Sequence, residues 1–206
     1  MISTNTEIVE KANIRADFAL ITNWIKPNSK VLDLGCGDGT LLTHLHHQHN
    51  IRGYGVEKDD SNWLAAMDNG VNVIQMDLEA GLSGFEDHSF DMVILSQTLQ
   101  AMRNTEGIVL EMLRVGREAI VTFPNFGYWR NRMQILAGQM PVSKILPYEW
   151  YNTPNVHLCT IKDFDEFCNK NKIRIIERTV MTEGHNVRIM PNFLGNLAMY
   201  RLEKLS

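Results

Sequence analysis

Val31-Leu32-Asp33-Leu34-Gly35-Cys36-Gly37-Asp38-Gly39-Thr40 is the stretch on which the fold turns. Strand-forming residues lead into an acid, three glycines alternate with other residues, and Leu41 and Leu42 open an apolar helical face. That order predicts strand, tight turn, helix. Glycine accepts positive φ and offers no Cβ to an approaching ligand. The first N–H groups of the helix that follows point back at the turn. The turn is therefore suited to hold a polar ligand against bare backbone.

The spacing is D-x-G-x-G-x-G, not the G-x-G-x-x-G of dinucleotide sites. A carboxylate at Asp33 repels a pyrophosphate and suits a cationic or amine-bearing ligand. Glu57 ends the next apolar strand, about 20 residues past the glycines, where the ribose-binding acid of this architecture belongs. A third strand ends in Asp77-Leu78, one polar acceptor beside apolar cover. Asp77 also reads as a plain turn cap, and the turn alone leaves a phosphate- or nucleotide-binding variant open. Taken together, the three acids and the glycines resemble class I S-adenosylmethionine-dependent methyltransferases. That resemblance implies a site for S-adenosylmethionine or S-adenosylhomocysteine at Asp33, Gly35, Cys36, Gly37, Gly39, Glu57, Asp77, Leu78, Ser96 and Gln97.

Working outward, 206 residues at 44% hydrophobic and 21% charged allow one α/β domain with an ample core, residues 1–206. The net charge of −4 gives no global electrostatic case for nucleic acid. Cys36, Cys159 and Cys168 show no C-x-x-C spacing, which fits a reduced, cytoplasmic setting. Met1 to Glu10 lacks a basic region followed by an apolar run, so no secretory leader is expected. No apolar run approaches about 18 residues, so no membrane span is expected.

Ile14, Phe18, Ile21 and Ile25 recur at helical spacing and predict a helix over residues 13–26, stopped by Pro27-Asn28-Ser29. The helix after the glycines carries His44, His46, His47 and His49; His44 and His47 share a face, but His46 and His47 point to different ones and no acid or cysteine stands at ligand spacing, so no metal site is expected. Trp63, Leu64 and Met67 give the next helix an apolar face. Phe90 to Leu95 is apolar beyond Asp91 and predicts a central strand buried on both sides, ending in Ser96-Gln97-Thr98. Ligands in open α/β sheets sit outside the carboxyl ends of the strands, which makes Ser96, Gln97 and Thr98 candidate cleft residues. A strand over Ala119–Phe123 is followed by an arginine- and aromatic-rich insertion, residues 125–158. Long loops of this kind are usually functional, and aromatics with arginine favour binding surfaces. Thr160 and Asp163 have capping-box spacing for a helix, and Ile173–Val180 and Leu197–Leu202 predict two closing strands around a polar loop, 183–195. The expected architecture is a doubly wound, seven-stranded, mostly parallel sheet with an antiparallel terminal strand.

Several blocks are more particular. Gly53-Tyr54-Gly55-Val56-Glu57, Ser96-Gln97-Thr98-Leu99-Gln100, Phe123-Pro124-Asn125-Phe126-Gly127, Trp129-Arg130-Asn131-Arg132 and Trp150-Tyr151-Asn152-Thr153-Pro154-Asn155 resemble the MetW family of methionine biosynthesis proteins. The likeness runs from about Ile14 to the terminal strands; Lys58-Asp59 depart from that family's pattern, where an apolar residue and Asp are frequent. The resemblance implies an accessory subunit that binds and activates homoserine O-acyltransferase, with a methyltransferase-type pocket. Tyr128, Trp129, Arg130 and Arg132 are the candidate partner contacts. The alternative is an active methyltransferase on a small molecule, with Gln97, Asn125, Tyr128 and His157 as candidate acceptor-side residues.

Overall fold

In the computed structural model, residues 15–205 are described. Eight strands form one sheet in the order β3-β2-β1-β4-β5-β8-β6-β7. They are β1 Lys30–Leu34, β2 Arg52–Glu57, β3 Asn72–Gln75, β4 Phe90–Ser96, β5 Gly116–Pro124, β6 Ile173–Thr182, β7 His185–Asn186 and β8 Leu197–Lys204. The first five are parallel; β8 runs antiparallel between β5 and β6. The expected seven strands become eight because Glu183 and Gly184 both take positive φ and fold β7 back on β6. Two consecutive left-handed residues make the tight turn that matches strand twist. The rest of the expected polar loop also contains a helical turn, Pro191–Leu194.

Helices cover both faces: α1 Ala16–Trp24, α2 Thr40–His49, α3 Asp60–Asp68, α4 Thr105–Val115, α5 Trp129–Leu136 and α6 Ile161–Lys170. The alternation of strand side chains divides the core in two. Leu32, Leu34, Val93, Leu95, Val121, Phe123 and Tyr200 pack with residues of α4 and α6. Val31, Met92, Ile94, Ile120 and Met199 pack with Phe18, Ile21 and Trp24 of α1 and Leu41, Leu42 and Leu45 of α2. Of the helix expected over residues 13–26, Ile14 lies outside the described residues. The expected apolar face of α3 is only partly covered: Ala66 is buried, while Leu64 and Met67 are about half exposed. β4 is central, between β1 and β5, and buried from Met92 to Leu95.

The expected capping box at the start of α6 is present, with the Thr160 hydroxyl accepting from the Asp163 N–H and the Asp163 carboxylate accepting from the Thr160 N–H. Within the insertion, α5 is a two-turn helix where the sequence predicted an irregular excursion. Residues 137–160 carry no helix or strand.

Candidate functional site

The strand order reverses direction between β1 and β4, and in sheets of this kind that reversal opens a crevice at the carboxyl ends. The glycine turn leaves β1 on one side of it, and Ser96 and Gln97 leave β4 on the other.

The turn is held by its own backbone. Gly35 and Cys36 N–H donate to the Val56 carbonyl at 2.8 and 3.0 Å, and Gly39 N–H donates to the Cys36 carbonyl at 3.0 Å. Gly37 has φ +57° with open space where a Cβ would stand. At Gly39, φ is +77° and a Cβ would fall 2.6 Å from Val71. Glu57 is fastened to the same turn: its carboxylate accepts the Gly37 N–H at 2.8 Å, the Lys58 N–H at 2.7 Å and the Asp59 N–H at 2.9 Å. Acid and turn thus form one preorganised unit. Cys36 contributes backbone only, because its thiol is buried against Gly55; burial first, then Asp33, pushes that thiol up to about 12.

Asp33 is buried, not at an open strand end. It is 3% exposed, and its Oδ1 has no hydrogen-bond partner among the described residues. Loss of water raises its pKa from 3.8 to about 7; Arg15 opposes the rise and Glu57 adds to it. Asp33 shares a strand face with Val31, the face that α1 covers. From α1 comes a second buried acid, Asp17, at 2% exposure. Arg15 holds Asp17: Nε donates to Asp17 Oδ1 at 3.1 Å, and Nη2 donates to Asp17 Oδ2 at 2.5 Å and to Ser96 Oγ at 2.8 Å. Ser96 also meets Thr122 Oγ1 at 3.2 Å. Gln97 sits at φ +54°, left-handed without being glycine. Its N–H is held by the Thr122 carbonyl and hydroxyl at 2.9 and 3.0 Å, and its side-chain amide reaches Asp17 at 3.4 Å. Such strain concentrates at functional sites.

Asp77 does cap a turn, accepting the Glu79 N–H at 3.0 Å, and it pairs with Lys58 Nζ at 2.6 Å. The Lys58 bond, with the Glu79 N–H, holds its carboxyl below the usual range. Leu78 is buried in the core.

The predicted residues therefore fall into groups. Asp33, Gly35, Gly37, Gly39, Glu57, Ser96 and Gln97 gather at the carboxyl ends of β1, β2 and β4; Asp77 is joined to them through Lys58, which follows Glu57. The four candidate partner contacts diverge: Tyr128 is buried, Trp129 and Arg130 are exposed and stacked with 5.5 Å between guanidinium and ring, and Arg132 donates to the Gly127 carbonyl at 2.7 Å. Asn125 is a buried scaffold residue, not an acceptor-side group. Its amide donates to the Gly195 and Asn192 carbonyls, and its oxygen accepts the Gly127 and Ile161 N–H groups. His157 is exposed, with Nε2 3.1 Å from the Arg103 carbonyl. Sequence reasoning missed Arg15 and Asp17. An acid at helical spacing from buried Ile21 and Trp24 was the available signal.

A separate cleft of about 480 Å³ opens beyond Gln97, among Leu99, Phe123, Leu146, Leu158, Phe164 and Phe167. No glycine of the turn lines it. Among the described residues, no group of three or more His, Cys, Asp or Glu side chains could hold a metal ion, and no helix is long and apolar enough to cross a membrane.

The fold is that of the S-adenosylmethionine-dependent methyltransferases. A methyltransferase from Archaeoglobus fulgidus superposes with a TM-score of 0.70 at 13% identity, over 96% of this chain and 94% of that one. Magnesium protoporphyrin IX methyltransferase from Synechocystis, solved with bound S-adenosylhomocysteine, gives 0.64 at 15% identity over 91% and 82%. Residues 15–202 match the family described as methionine biosynthesis protein MetW, and the chain belongs to that family. The bifunctional methionine biosynthesis protein MetXA/MetW of Rhodopirellula baltica is 36% identical over an alignment of 204 positions that covers 94% of this chain. This chain covers 33% of that relative's length.

Proposed function

We propose that this chain binds S-adenosylmethionine or S-adenosylhomocysteine at the glycine turn and serves methionine biosynthesis as an accessory subunit that binds and activates homoserine O-acyltransferase in the cytoplasm. The observation that carries the ligand half is Asp33 Oδ1, a buried carboxylate oxygen with no partner among the described residues, beside a backbone cradle. A cationic group from a ligand would supply what the protein withholds. The residues fit such a ligand: Gly35, Gly37 and Gly39 for close backbone approach, Glu57 for ribose hydroxyls, and Asp33 for an ammonium. Bound S-adenosylmethionine would supply an electrophilic methyl sulfonium.

The partner half rests on the relative's bifunctional name. This chain covers a third of a protein named MetXA/MetW, and we read the MetXA part as the acyltransferase that the family resemblance implies. Fusing two modules raises their effective concentration, which is useful where they act together. Trp129 and Arg130 are the exposed residues offered to that partner. The test is homoserine acylation by the cognate acyltransferase, alone and with an equimolar amount of this chain, with size-exclusion of the mixture. A rate increase with co-elution is expected; neither effect would remove the accessory reading. The second reading, methyl transfer to a small molecule, has the roomy cleft beyond Gln97 in its favour. Methyl transfer needs mainly positioning. Labelled methyl groups passing from cofactor to a component of cell extract would establish it.

A further inference from the structure

The 480 Å³ cleft has a construction of its own. None of the residues assigned to the adenosyl ligand lines it. Its floor belongs to the core on the α4 and α6 side of the sheet, where Leu99, Phe123 and Phe164 are all buried. The Phe123 and Phe164 rings lie 4.8 Å apart, and Phe167 follows at 5.7 Å from Phe164. Phe164, Phe167 and Lys170 stand at helical spacing, so one face of α6 supplies a wall that is apolar and then cationic. The opposite wall is fixed in place: the Val156 and His157 N–H groups both donate to the Gln100 carbonyl, at 2.8 and 3.0 Å, and His157 Nε2 meets the Arg103 carbonyl at 3.1 Å. Cys159 lines the cleft as a neutral group, its thiol pushed up to about 12 by burial.

Two cations at this cleft have nothing to neutralise them. The side chains of Arg103 and Lys170 are exposed, and neither makes an ion pair or a hydrogen bond among the described residues. Of the two acids that also line it, Asp163 spends its carboxylate on the capping box of α6, and Glu106 is exposed and unpaired. Preformed, mostly apolar hollows of this size with a few polar groups are the usual shape of small-molecule sites. We propose that the cleft is a second binding site for a small organic acid, whose aromatic or aliphatic body lies on Phe123, Phe164 and Phe167 while its carboxylate meets Arg103 and Lys170. An amine on the same body would find two cations and one free acid. The site stands apart from the adenosyl reading and does not depend on it.

The experiment is calorimetry on the full chain with three probes that share one body and differ in head: 4-phenylbutanoate, 4-phenylbutan-1-ol and 4-phenylbutylamine. The acid is expected to bind best and the amine worst, with the acid ahead of the alcohol by about fivefold or more, since each exposed cation adds a modest gain. Arg103→Gln with Lys170→Gln is expected to bring the acid to within about twofold of the alcohol while leaving the alcohol unchanged. Glu106→Gln is expected to leave the acid at least as tightly bound. Leu158→Asp, at a half-exposed wall position, is expected to weaken the acid most of all. Circular dichroism confirms that each variant is folded, which the surface positions of these side chains favour. Three probes that fail to bind overturn the site. A preference for the amine, or an acid preference that survives loss of both cations, overturns the assignment of the ligand. S-adenosylhomocysteine titrated into the same proteins reads the glycine turn separately, so failure of one reading is told from failure of the other.

Discussion

Replacing Asp33 by asparagine should make this protein more stable and less able to bind its ligand. The carboxyl is fully enclosed, with its pKa raised from 3.8 to about 7 by burial first. An unfolded chain releases the Asp33 proton near 3.8, whereas the folded chain keeps it to about 7. Between those values the folded state holds more protons, so Asp33 lowers stability as pH rises. The loss is about 1.4 kcal/mol per pH unit. Over the three units it reaches about 4 kcal/mol above pH 7, and it is absent below pH 4. Asparagine has the same shape and no charge to desolvate. Urea unfolding of the unmodified chain and of Asp33→Asn, from pH 4 to pH 8, reads the difference directly. The two should coincide near pH 4 and diverge to about 4 kcal/mol at pH 8, a rise in Tm of roughly 8–16 °C for a chain of this size. S-adenosylhomocysteine should bind the variant at least about tenfold more weakly, because an ammonium loses a charged partner. A stability difference that does not vary with pH, or a variant less stable at pH 8, would refute the reasoning.

Other substitutions test other parts of the structure. Glu57→Ala releases three backbone N–H groups that brace the turn, and calorimetry should show S-adenosylhomocysteine affinity falling by about tenfold or more. Asn125→Ala leaves several buried backbone groups unpaired, so chemical denaturation should show a loss of about 2–4 kcal/mol. Trp129→Ala with Arg130→Ala removes a surface pair; co-elution with the acyltransferase should be lost while ligand affinity stays put and circular dichroism shows the fold retained. Retained co-elution would return α5 to an ordinary surface helix.

The glycine turn, the parallel strands and the alternation of their side chains were legible because they follow from local rules: three spaced glycines, period-two apolar runs and a capping pair at Thr160 and Asp163. What could not be read locally was depth. Asp33 reads as an open strand end, and becomes interior because α1, the helix just before β1, folds back over that face of the sheet, a packing that spacing alone does not give. Asn125 reads as a polar residue in a loop, and becomes interior because the start of α6 and the turn at Pro191–Leu194 close over it. The opposite error occurs at Leu64 and Met67, where helical spacing suggests a buried face. Only Ala66 of α3 is enclosed, because the helix packs over β2 and β3 at the edge of the sheet, where little else covers it. Arg15 joins Ser96 across 81 positions, a contact that no spacing rule supplies. Glu183-Gly184 was a readable hairpin signal that the surrounding polar residues masked.

The footing of α5 has an evolutionary consequence. Asn125 ties the end of β5 to the start of α6 and to the segment before β8, and the Asn131 amide on the inner side of α5 donates to the Asn125 and Phe126 carbonyls. Drift at those two asparagines is penalised by the buried groups each would strand. Drift at Arg130, Met133 or Leu136, which face outward, costs far less. A helix mounted in this way can change its outer lettering one residue at a time while the strands beneath it stay as they were.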